Sequence, residues 1–204
     1  MLRPLFATFS PPHSSLKYSS LCIEYRRASE ILISKAISNN NVDTIGHALL
    51  FLIRHSVELG LKANLEPFYA MAGKVELLDI DDIKEHSLSY YFDIFQSIVQ
   101  VAEKNLAISP DLIKGRREIM ADLKLLVGIC HKLDPSSHMS RYGQYPPLDF
   151  SKNEHQIDFT SFGKLYSDVM TDIFIVVDTY KAQSLTPDEE ATILDEINKL
   201  ISDN

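Results

Sequence analysis

Between Ile45 and Leu65 the chain carries Ile45, Ala48, Leu49, Leu50, Phe51, Leu52, Ile53, Val57, Leu59, Leu61 and Leu65. At 100° per residue these positions wrap around most of a helical cylinder. A helix that is apolar nearly all round has no side to give to water, so other helices must enclose it. Crossing a membrane is the other way to bury such a segment, and it needs about 20 apolar residues in a row. The longest run here, Ala48 to Ile53, is ended by Arg54. The segment therefore calls for a bundle, with itself in the middle.

The flanking sequence supplies the other helices. Leu21, Tyr25, Ala28, Leu32, Ile33, Ala36 and Ile37 recur at spacings of three and four and predict a first helix over 19–38. Asn39-Asn40-Asn41 reads as a turn, with Asp43 or Thr44 as the N-cap of the central helix. That helix is expected to stop near Leu65, before Pro67, because a proline disfavours helix at the residue preceding it. A third helix over 87–104 buries Leu88, Tyr91, Phe92, Phe95, Ile98 and Val99. Ser109-Pro110-Asp111 opens a fourth that runs to about Leu133, with proline at the first helical position. A fifth is expected over 160–182, and Thr186-Pro187-Asp188-Glu189 starts an amphipathic terminal helix carrying Ile193, Leu194, Ile197, Leu200 and Ile201. Seven glycines in the whole chain, and no hairpin signature, leave little room for strands.

The expected fold is thus all-α, an up-and-down bundle of four to five long helices over 19–184. An irregular arm precedes it at 1–18, and the C-terminal helix over 185–204 packs on the bundle or on a partner. Residues 134–159 read as a long loop, and loops of that length in compact domains are usually functional or disordered. A formal charge of −8 disfavours coating nucleic acid by bulk electrostatics, though a local basic patch can survive in an acidic whole. Two cysteines, Cys22 and Cys130, without a CxxC pair fit a reducing cytoplasm better than a disulfide scaffold. Neither an HExxH nor a CxxC pattern occurs, so no metal and no cofactor is expected.

Candidate chemistry sits on the central helix. His47, Arg54 and Glu58 fall on one stripe with Leu50, Val57 and Leu61, and Arg54 and Glu58, four apart, are spaced to pair. Charges in such a place must find partners or line a wet cleft. The stripe reads either as a buried pair that fixes how helices cross or as part of a site. His55 points about 100° away and reads as a surface or interhelix residue. His86, just before Ser87, is either part of a helix cap or a neutral acid–base imidazole beside Arg54. Arg141 and Tyr142 in the long loop suit phosphate contact and base stacking, or else Arg141 pins the loop to an acidic residue. Arg116, Arg117, Lys114 and Lys124 on the fourth helix read as a solvated face, and Cys130 as packing.

Several short motifs carry a resemblance. Tyr25-Arg-Arg-Ala28 is followed by Phe51-Leu-Ile-Arg-His-Ser-Val-Glu-Leu-Gly-Leu-Lys62, then His86-Ser-Leu88, then Ser140-Arg-Tyr142. Together they resemble uncharacterised prokaryotic members of the HEPN superfamily, small helical bundles of toxin–antitoxin, abortive-infection and other defence systems. The resemblance spans roughly residues 25–142. It implies a homodimeric helical bundle that binds RNA or a nucleotide, with a protein partner from the same operon. Catalytic members carry Arg followed, after four to six residues, by His; none of the seven arginines here has a histidine at that spacing. The nearest arrangement, His47 and Arg54, runs in reverse with six residues between. On this reading Arg54 and His86, with Glu58 and His47, are the catalytic candidates of a metal-independent ribonuclease, and Arg141 and Tyr142 bind the ligand. The alternative is a non-catalytic dimerisation or scaffold module.

Overall fold

The computed structural model describes residues 17–73, 87–106, 108–134 and 157–184. Their order is α1 (Lys17–Asn39), α2 (Val42–Met71), α3 (Leu88–Asn105), α4 (Pro110–Leu133) and α5 (Phe159–Ser184), with no strand among them. The all-α bundle expected from the periodicity is what forms. The arm through residue 16, His86, the span 135–156 with Arg141 and Tyr142, and residues 185–204 lie outside the described residues.

α2 is the axis of the bundle and packs on each of the other four helices. Leu49, Ile53, Val57, Leu61 and Phe68 along it are fully enclosed. Neighbouring α1 returns antiparallel, because the link between them is only Asn40 and Asn41: Tyr25 meets the His55 ring, while Cys22 reaches back to Ser56. Asn40 makes that turn at φ 51, a left-handed conformation that asparagine tolerates well. α3 instead runs alongside α2 in the same direction. Tyr91 lies at Lys62, Phe95 at Phe68, and Asn105 donates to the Ala72 carbonyl. α4 then turns back, and α5 runs with α2, from Tyr166 beside Ser56 to Tyr180 beside Phe68. Alternation of direction is therefore broken once, between α2 and α3.

Two expectations about the ends of α2 need correction. The helix starts at Val42 with Asn41 as N-cap, not at Asp43 or Thr44, and the Asn41 side chain makes no capping bond. It also passes straight through Pro67 to Met71. An interior proline forfeits one backbone bond and costs about 3 kcal/mol. Continuing the helix places Phe68 in edge contact with both Phe95 and Tyr180, at 5.5 and 5.3 Å between ring centroids. Burying a phenylalanine completely is worth about 2–3 kcal/mol before the aromatic contacts are added, so packing outweighs the local preference. Elsewhere the local signals suffice. Ser87 and Ser109 cap α3 and α4, each accepting from the backbone N–H three residues on.

Small residues let α1, α2 and α5 approach closely. A methyl group on Gly163 would lie 2.7 Å from Ile33 Cγ2, and one on Gly60 would lie 3.2 Å from Met170 Cε. Around that contact runs a polar seam. Ser56 Oγ donates to the Ile53 carbonyl and shares a 2.6 Å hydrogen bond with Tyr166 Oη, while Arg26 donates to the Met170 carbonyl, Thr171 Oγ1 and Glu30 Oε1.

Candidate functional site

Three charged residues, Arg54, Glu58 and Lys62, follow one another at four-residue intervals along one face of α2. The first two are sealed: Arg54 is 1 % exposed and Glu58 2 %. The end of α4 lies against Arg54. Burial pushes the Cys130 thiol there up to about 12; the Arg54 guanidinium opposes that shift, and the Asp134 carboxylate, also buried, adds to it. Asp134 is the C-cap of α4, its backbone N–H donating to the Cys130 carbonyl.

At the other end of the stripe Lys62 Nζ donates to Glu58 Oε1 at 2.9 Å. Its ammonium lies 4.9 Å from the centre of the Tyr91 ring and 5.8 Å from that of Tyr18. Burial by itself would lower the lysine's pKa, but hydrogen bonds to Glu58 and Tyr91 outweigh it and the net shift is upward, so the amine stays charged. The Tyr91 hydroxyl is raised, by burial first, against the pull of Lys62.

His47 does not join this group. It lies exposed on the first turns of α2, about 10 Å along the axis from Arg54 at 1.5 Å per residue. His55 is an interhelix residue, edge-on to Tyr25 at 4.6 Å and stacked on Phe51 at 5.7 Å. His86, Arg141 and Tyr142 fall outside the described residues. His86 immediately precedes Ser87, the N-cap of α3, whose first turns carry Tyr91 to Lys62; Arg141 is seven residues beyond Asp134.

Two charged side chains that the fold encloses wholly or in part escaped the sequence reading. Lys62 was visible only as the end of a motif, although its spacing from Glu58 is the ordinary ion-pair spacing of a helix. Arg116 was expected on a solvated face and is instead buried, donating Nε and Nη2 to the two carboxylate oxygens of Glu103. Glu103 also accepts from Tyr180 Oη at 2.6 Å. Leu112 and Ile113, whose half-buried side chains lie four and three residues before Arg116 on the same helical face, were the available signal that this face turns inward. Cys130, expected as packing, is fully buried.

Among the described residues no group of three His, Cys, Asp or Glu is placed to hold a metal ion. No described helix is long and apolar enough to cross a membrane. Compared with models of protein families, with curated proteins and with solved structures, the chain matches none.

Proposed function

We propose that this chain is a HEPN-like component of a prokaryotic defence or toxin–antitoxin type system, and that it binds RNA or another phosphate-bearing ligand without cutting it. The observation that carries the reading is the charged stripe of the central helix, with Lys62 at its outer end. Charge is costly inside a bundle, and replacing it by apolar groups is often neutral or stabilising. In the proposed site Arg141 pairs with phosphate and Tyr142 stacks on a base, in the cytoplasm and in a homodimer.

In a cutting version, a neutral His86 would withdraw the 2′-hydroxyl proton and Arg54 would stabilise charge on the phosphate, without a metal. The burial of Arg54 and Glu58 and the missing Arg-x4–6-His spacing weigh against it. Incubating RNA with wild type and His86→Ala in the presence of EDTA separates the versions. Full-length RNA in both samples is expected. Shortening by wild type alone would replace binding with catalysis.

The same burial favours a second reading, a dimerisation or scaffold module for a protein partner, in which the stripe serves only to fix helix crossing. Under that reading Arg141→Ala has no effect on nucleotide or RNA binding, because there is none to lose.

A further inference from the structure

On α4 the face turned away from the core carries a leucine, Leu125, that is 55 % exposed. At 100° per residue Lys114, Arg117, Ala121, Gly128 and Lys132, all exposed, fall within about 80° of it. Lys124, exposed as well, borders the same flank. Glu118 and Asp122 lie on the other flank, where the Asp122 carboxylate acts on Lys164 of α5. The outward face is therefore one apolar side chain beside two small residues, edged by four cations on the flank away from α5. Glycine inside a helix is less stable than alanine, yet a methyl group on Gly128 would meet nothing within 4 Å among the described residues. Nothing in the described bundle calls for that glycine. A second helix laid over α4 would call for it, because glycine and Ala121 let another backbone come close.

The sequence that follows α5 has the matching chemistry. Over 185–204 six carboxylates, those of Asp188, Glu189, Glu190, Asp195, Glu196 and Asp203, stand against the single cation of Lys199, and the apolar residues recur at spacings of three and four. The fold also delivers this segment to the right end of α4. Tyr180 donates to Glu103, which holds Arg116, so α5 finishes at Ser184 beside the first turns of α4. Residues 184–187 reach about 13 Å when extended, enough to pass round a helix about 10 Å across. A helix over 187–201 is about 22 Å long, against about 27 Å from Lys114 to Lys132. We propose that residues 185–204 fold back along the outward face of α4, in the same direction as α4, as an acidic amphipathic helix. In the register that brings Glu190 level with Arg117, the Leu125 side chain enters the hole between Leu194, Ile197, Asn198 and Ile201, and Ile201 lies over Gly128. The cations on that flank then face an acidic helix of their own chain. This goes beyond the ligand reading above and does not depend on it.

Cross-linking of the full chain tests it. Gly128→Cys combined with Asn198→Cys places two thiols across the proposed contact and leaves Leu125 and the apolar stripe intact, while buried Cys22 and Cys130 do not compete. A short bismaleimide should join the two within one chain, at a rate independent of protein concentration. The rate should exceed several-fold that of Ser34→Cys with Asn198→Cys, whose first thiol lies exposed on α1. Adding Leu125→Asp, or Arg117→Glu with Lys124→Glu, should slow the reaction several-fold; all three positions are exposed, so the bundle itself is spared. Higher salt should slow it too, because the charges that attract the segment are at the surface. A rate no greater than that of the Ser34 pair overturns the proposal. Products that join two chains, in a yield that rises with concentration, overturn it in favour of a second copy as the occupant. Efficient joining that neither the Leu125 nor the charge variants slow also overturns it, since the segment would then pass nearby without using this surface.

Discussion

Arg116 meets Glu103 through two parallel hydrogen bonds, Nε to Oε1 at 2.8 Å and Nη2 to Oε2 at 2.6 Å, and so fastens α4 to α3. Tyr180 adds α5 by donating to the same carboxylate. Both charged side chains are under 10 % exposed, which keeps water from competing for the bonds. Removing one partner strands the other. Arg116→Met should therefore cost about 3–5 kcal/mol in urea unfolding. Replacing Glu103 by Leu in the same chain should return much of it, since an apolar pair no longer buries a lone charge. A double variant no more stable than Arg116→Met would show that the pair contributes more than the desolvation of its charges.

A second prediction concerns the inner end of the α2 stripe. Arg54 is enclosed and its charge acts on the buried Cys130 thiol of α4, so its truncation takes a cation out of the core of the bundle. Arg54→Ala should lower stability by about 3–5 kcal/mol. An unchanged melting temperature would mean that the guanidinium is at the surface.

The third prediction tests close packing. Ile33 Cγ2 is a branch at Cβ and cannot swing away freely, so the 2.7 Å contact forces α1 and α5 apart in Gly163→Ala. A loss of roughly 1–3 kcal/mol is expected, net of the better helix propensity of alanine. Ile33→Ala in the same chain should recover part of it, because the clashing methyl is gone. If Gly163→Ala is stabilising, the helices do not approach this closely.

A fourth prediction follows from buried acids. Burial pushes the Cys22 and Cys130 thiols up to about 12 from 9.0, and the Tyr166 hydroxyl up to about 12 from 10.0. In this range the unfolded chain loses these protons before the native one does, so the native state binds more protons and stability falls as pH rises. Unfolding free energy should be insensitive to these groups below pH 9 and decline from about 9 to 12. Cys22→Ala with Cys130→Ala should flatten the decline. A thiol reagent at pH 8 should modify the native protein only as fast as it unfolds.

Much of the bundle was legible because local pattern and tertiary packing agree. All six residues assigned to the α3 stripe are buried, and Ser109-Pro110 starts α4 where its capping chemistry says it should. Reading failed where packing overrode a local rule. Pro67 looked like a terminator and is carried by the burial of Phe68. Arg116 looked solvated because its partner, Glu103, lies on another helix and is invisible to periodicity. The parallel course of α2 and α3 leaves no local trace either, since it depends on where Lys62 and Tyr91 meet. Of the site, the co-facial Arg54 and Glu58 could be read from spacing, whereas the tyrosines around Lys62 come from α1 and α3 and could not.

Binding of single-stranded RNA is the most direct test of the central claim. Labelled oligouridine titrated with the full chain in EDTA, at two salt concentrations, should be retained in a complex and recovered at its original length. Retention should weaken at the higher salt, as phosphate contacts require. It should weaken again in Arg141→Ala. RNA that is never retained, or that is retained equally by wild type and Arg141→Ala, would contradict the account.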